Sequence, residues 1–267
     1  MTALLYPFDP KGCCLCGARA EPTREHKIKA SSLREQFGDQ PMVIVRDGAA
    51  PRTARGAKSK LFHFETPMCA PCNNERTQAP DNAWDRFRRS ALELVAAGRE
   101  PVAAFDEPHY WPTETSHTMA YLDVLRYLAK LLCGHLADSG APRIERLTRF
   151  ALGLSNDCPI LTNIAFDATY RAHAETFGDH PYAAHGGLVL ISDINTQRPT
   201  GFHSAVTVGG LQCTITFRFD PAERLALAAD YPEFLSWCGE RARAAVDAPV
   251  PTEKWMQLGF AYGDEGV

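Results

Sequence analysis

Two cysteine pairs at ligand spacing are the first residues of this chain that could do chemistry. Cys13-Cys14-Leu15-Cys16-Gly17 and Cys69-Ala70-Pro71-Cys72-Asn73 place two C-x-x-C knuckles roughly fifty positions apart, the pattern that delivers four thiolates to a tetrahedral zinc ion. Cys13, Cys16, Cys69 and Cys72 have the spacing, which leaves Cys14 as a spare. Four thiolates close the coordination shell, so such a zinc is structural and any reaction must come from neighbouring groups. Those groups are Arg24-Glu25-His26-Lys27-Ile28 and Asn73-Asn74-Glu75-Arg76. A neutral imidazole can take a proton from water near neutral pH, and a carboxylate or amide oxygen suits a hard divalent cation.

The order of these elements, C-x-x-C-G, then E-H-x-I, then C-x-x-C-N, resembles the zinc-containing HNH endonucleases of the ββα-metal fold. The resemblance covers about 65 residues and rests on the three motifs together rather than on any one of them. It implies His26 as general base, Glu25 and Asn73 as ligands of a catalytic Mg²⁺ or Mn²⁺, and hydrolysis of a phosphodiester, with DNA as the substrate. Position 29 is lysine where the family reads proline. His63, in Leu61-Phe62-His63-Phe64-Glu65, stands where family members carry the asparagine that orients the base.

Cations surround this segment. Residues 1–100 carry 16 Lys+Arg against 12 Asp+Glu, although the whole chain is at −4, so the local field can favour a polyanion. Arg46, Arg52, Arg55, Lys58 and Lys60 lie between the knuckles in a stretch poor in apolar residues, expected to be a loop that meets a nucleic-acid backbone without reading sequence. The remaining histidines, His109, His117, His135, His173, His180, His185 and His203, do not recur at ligand spacing, and Cys133, Cys158, Cys213 and Cys238 are expected to be small buried hydrophobes.

These side chains need elements to hold them. The spacing of Ala83, Trp84, Phe87, Ala91, Leu92, Leu94 and Val95 predicts a helix from Pro80 to Gly98 that joins the knuckle segment to the rest of the chain. Leu122, Leu125, Leu128, Leu132 and Leu136 predict a second, stronger helix with one apolar face. Strand-like runs come next, at 160–165, 187–192 and 203–208. The last meets 211–219 across Gly209-Gly210, a two-residue hairpin signal. Helices are predicted at 221–229 and 232–246. The fold class is therefore α+β: a small zinc-bound ββα-metal module at 8–98, then an α+β domain with helices and an antiparallel hairpin at 117–267.

Nine cysteines in a chain without a signal-like N-terminus point to a reducing compartment, and no apolar run reaches the roughly 20 residues that span a bilayer. A cytoplasmic protein without a membrane segment is expected. Two other readings of the same residues stay open. One is a zinc module that binds nucleic acid or protein without chemistry. The other is a nuclease subunit active only with a protein partner, or a second copy, engaged through the C-terminal domain.

Overall fold

The computed structural model describes residues 3–247 except 47–48, 108–110, 112–116, 168–169, 171, 173–182, 194 and 197. A short strand, β1 (Leu5–Tyr6), leads into the first knuckle, and β2 (Pro22–Thr23) leaves it. Helix α1 (Ala30–Phe37) starts soon after β2. Leu33 is its buried anchor, and Gly38 ends it at φ 65°, a left-handed backbone that glycine adopts without a Cβ clash.

The cationic stretch expected as a loop is partly strand. β3 (Met42–Arg46) and β4 (Ala49–Ala54) pair antiparallel, and the opposed Met42 and Ala54 are both buried. Two apolar anchors and a backbone ladder are enough to order a segment whose side chains are otherwise solvated. A 3₁₀ turn (Lys60–Phe62) and β5 (Met68–Cys69) return the chain to β2, and the second knuckle opens a π-helical turn over Pro71–Arg76.

Helix α2 (Gln78–Ala96) starts two residues before the predicted Pro80, which sits in the first turn where its missing N–H costs no hydrogen bond. Helix α3 (His117–Asp138) lies alongside, with Trp84 stacked on Tyr127 at 4.9 Å. Its leucine periodicity predicts one buried face. Instead every residue from Val124 to Ala137 is buried, Arg126 and Lys130 included, so α3 is a core helix covered on all sides.

After α3, β6 (Arg143–Ile144) pairs with β1 and is followed by α4 (Glu145–Ala151). A five-stranded antiparallel sheet is then built from β7 (Ile160–Phe166), β8 (Ala183–His185), β9 (Val189–Ser192), β10 (Pro199–Val208) and β11 (Leu211–Arg218), in the order β7-β11-β10-β8 with β9 also on β10. Gly209 and Gly210 turn the predicted hairpin at φ 63° and 82°. Helices α5 (Pro221–Asp230) and α6 (Pro232–Asp247) close the described chain; Asp220 caps α5 in a reciprocal box with Glu223.

The architecture is mixed α+β with small antiparallel sheets. Buried residues of the knuckle segment, such as Leu15, Ile28 and Phe64, and of the later part, such as Leu132, Phe202 and Phe217, belong to one hydrophobic cluster. Cys133, Cys213 and Cys238 are buried in it as expected, whereas Cys158 lies exposed in the loop before β7. Among the described residues no helix is long and apolar enough to cross a membrane.

Candidate functional site

The two knuckles converge because backbone bonds join them on both sides. Gly17, at φ 76°, turns its N–H back to the Cys13 carbonyl, Cys14 N–H donates to Pro67, and Ala70 N–H donates to Glu21 beside the β2–β5 pair. The sulfurs of Cys13, Cys16, Cys69 and Cys72 all lie within 4.8 Å of one another, and Cys16 and Cys69 Sγ are 3.6 Å apart. Four bonds of 2.3 Å to a tetrahedral zinc put sulfurs about 3.8 Å apart, so the donor set fits a metal such as zinc. Within the cluster the Cys14 and Cys72 thiols donate to Cys13 and hold it well below the ordinary thiol value, while that bond and burial push Cys72 up and burial raises Cys69. Arg76 adds a guanidinium 3.9 Å from Cys72 Sγ.

Beyond the β2–β5 pair the two chains separate and meet again where His26 opposes His63 in an antiparallel bridge. The flanking bonds, Lys27 N–H to Phe62 O and Phe64 N–H to Glu25 O, make this a non-hydrogen-bonded pair, the register in which opposed side chains come closest. The ring centroids are 3.9 Å apart. His26 Nε2 and His63 Nδ1 are buried and have no hydrogen-bond partner among the described residues. Burial, then the neighbouring His63, lower His26 to about 4, against smaller opposing effects of Glu25 and a backbone hydrogen bond with Ala57. The imidazole is thus neutral at pH 7 and offers a lone pair.

Glu25 points elsewhere. Its Oε2 is 2.9 Å from the ammonium of Lys130, which is fully buried on α3 and also lies 2.8 and 2.9 Å from the two oxygens of Asp81. Burial alone pulls the lysine down, but Glu25 and Asp81 together hold it above its usual value. Asn73 is not a helix cap; it lies in the π-helical turn and its Nδ2 donates to Thr23 Oγ1 at 3.0 Å, two residues before Glu25. The Asn73 amide is therefore placed against the strand that leads to His26, whereas the Glu25 carboxylate is turned toward α3. Among the described residues the four cysteines are the group of acidic, histidine or cysteine side chains that converges as a metal site.

Arg52, Arg55, Lys58 and Lys60 are exposed, and Lys58 adjoins Ala57, whose backbone contacts His26. Arg46 ends β3, with its side chain outside the described residues. Arg34, on α1, is a further exposed cation close enough to depress His26. Reading by motif missed Lys130, Asp81 and Asp138, which grip the segment around His26. A charged residue in the middle of an apolar helix was the available signal. His135 and His185, far apart in sequence, meet at 5.6 Å, while His109, His173 and His180 lie outside the described residues. No protein-family model, curated protein or solved structure matches the chain.

Proposed function

We propose that the chain is a metal-dependent phosphodiesterase of the HNH type, acting on nucleic acid and on DNA in the first place. The observation that carries this reading is the opposed His26–His63 pair beside the four-cysteine cluster, with a neutral His26 whose Nε2 has no hydrogen-bond partner among the described residues. His26 takes the proton of the attacking water, a step for which a positioned imidazole contributes on the order of 10²–10⁴-fold. His63 packs against the ring and restrains its rotation, the task of the family's asparagine. Glu25 and Asn73 would hold a divalent cation, which would stabilise the charge that develops on the phosphate and the leaving oxygen. Zinc on the four cysteines would keep the strand of His26 and the turn of Asn73 in one frame. Arg34, Arg52, Arg55, Lys58 and Lys60 meet the phosphate backbone, giving salt-sensitive affinity without base reading.

One observation favours a second reading, binding without cleavage: Lys130 already neutralises the Glu25 carboxylate. Cleavage of supercoiled and single-stranded DNA by zinc-loaded protein, with and without Mg²⁺ or Mn²⁺, separates the two. The nuclease reading expects metal-dependent cutting that falls by about 10²–10⁴-fold in His26→Ala. A folded wild type that retains DNA without cutting it, or a His26→Ala protein that cuts as well, rejects a nuclease that acts alone through His26. The first of those outcomes moves the weight to a binding module, or to a subunit whose C-terminal part awaits a protein partner.

A further inference from the structure

We infer that one face of α3, carrying Lys130, Gly134 and Asp138, is the positioning surface for the strand that bears His26. The inference rests on the reading of His26 as the base and names what holds it in place. These three residues recur every fourth position and so share one side of the helix. Each meets a different part of the paired strands. Lys130, with no exposed side-chain surface, takes Glu25 at 2.9 Å. Asp138 faces Lys27 at 3.1 Å, an ion pair without hydrogen-bond geometry, while its Oδ1 accepts the amides of Glu65 and Thr66 at 2.9 and 2.8 Å. Gly134 leaves room for Phe64, whose ring lies 2.8 Å from where a Cβ would stand. The residues on both sides of His26, and those after His63, are thereby held by one helix.

The network extends to the start of α2. Lys130 shares its charge with Asp81, and Lys29, the residue in place of the family's proline, donates to the Asp81 carbonyl at 2.6 Å and to Asp85 at 2.7 Å. Two lysines thus tie the Glu25–Lys29 segment to the helix that runs on from the second knuckle. Lys130 and Asp138 touch neither the unpartnered His26 nitrogen nor the exposed cations, so they are positioning residues that act through Glu25, Lys27 and the strand backbone.

The test uses the full chain, zinc-loaded, with Lys130→Met and Asp138→Ala. Hydrogen exchange at the Lys27 and Phe64 amides, whose bonds keep His26 opposite His63, should accelerate by at least about tenfold in each variant. Protection in the β10–β11 hairpin should fall by less than at these two amides. With DNA and Mn²⁺, kcat should fall by about a hundredfold while KM is unchanged, because a base displaced by an ångström loses rate rather than affinity. Lys130→Met leaves two buried carboxylates and is at risk of unfolding; the partly exposed Asp138→Ala then carries the same measurements. Unchanged exchange at Lys27 and Phe64, or loosened exchange with wild-type kcat, overturns the inference. If the wild type does not cut, the nuclease reading falls and the exchange data alone decide whether α3 holds the strand.

Discussion

His135 sits behind the candidate site, edge-on to Phe64 and 5.6 Å from His185, and its titration has a direction that stability measurements can read. Burial first, then His185 and Lys27, lower it to about 3. A histidine depressed in the folded state contributes stability that is complete above its unfolded value, near 6.5, and is lost as pH falls toward the folded value. The limiting slope is about 1.4 kcal/mol per pH unit for one such group. Urea denaturation at pH 7.5 and pH 5 should therefore show wild type weakening more than His135→Gln, by about 2 kcal/mol. Equal pH dependence in the two proteins would refute the assignment. The same residue shows why some of the site was illegible. Cys13, Cys16, Cys69 and Cys72 announce themselves because ligand spacing is local. His135, Lys130 and Asp138 gain their roles from contacts with residues about fifty or more positions away, and a lysine or histidine on a helix carries no local sign of such a partner.

At the scale of elements, α3 sets the geometry by close approach. An alanine at Gly134 would place its Cβ 2.8 Å from two atoms of the Phe64 ring, which is itself 1% exposed. Replacing glycine by alanine inside a helix gains about 1 kcal/mol of propensity, whereas overpacking a filled core costs about 1–3 kcal/mol. The packing cost wins. Gly134→Ala is expected to destabilise the protein by up to about 2 kcal/mol and to displace Phe64 and its neighbour His63. Gly239→Ala on α6, where among the described residues the new Cβ would meet only Arg243 Nη1 at 3.6 Å, should instead stabilise by up to about 1 kcal/mol. Denaturant midpoints of both variants check the contrast, and equal signs would contradict it. Elements with strong internal periodicity or turn chemistry were readable: α2, α3, α5, α6 and the Gly209-Gly210 hairpin all lie within a few residues of their predicted spans. The β3–β4 pair was missed because its cations masked the alternation, although the Asp47-Gly48 pair between the two strands is itself a hairpin signal.

For the whole molecule, the question is whether the segment of the four cysteines unfolds by itself. Zinc held by four thiolates contributes roughly 10–16 kcal/mol in isolated finger peptides, comparable to the 5–15 kcal/mol net stability of an entire domain. If the segment were a separate module, stripping the metal would unfold it and leave the five-stranded sheet protected. The contacts argue otherwise. β1 pairs with β6, Gln36 on α1 accepts the Gly209 amide at the hairpin turn, α2 stacks on α3, and Lys130 links α3 to Glu25. Each of these joins a residue before position 98 to one after 117, and the same hydrophobic cluster runs through both. Removing Lys130's partner Glu25 from its place would leave a buried ammonium with Asp81 alone, a loss that falls on α3 rather than on the knuckles. Cys72→Ser, or treatment with a strong chelator, is therefore expected to lower protection in β10 and β11 together with that around His26, in one transition seen alike by hydrogen exchange and circular dichroism. A first transition confined to residues before 98, with the sheet still protected, would show that the two parts fold separately and that α3 docks onto an independent module.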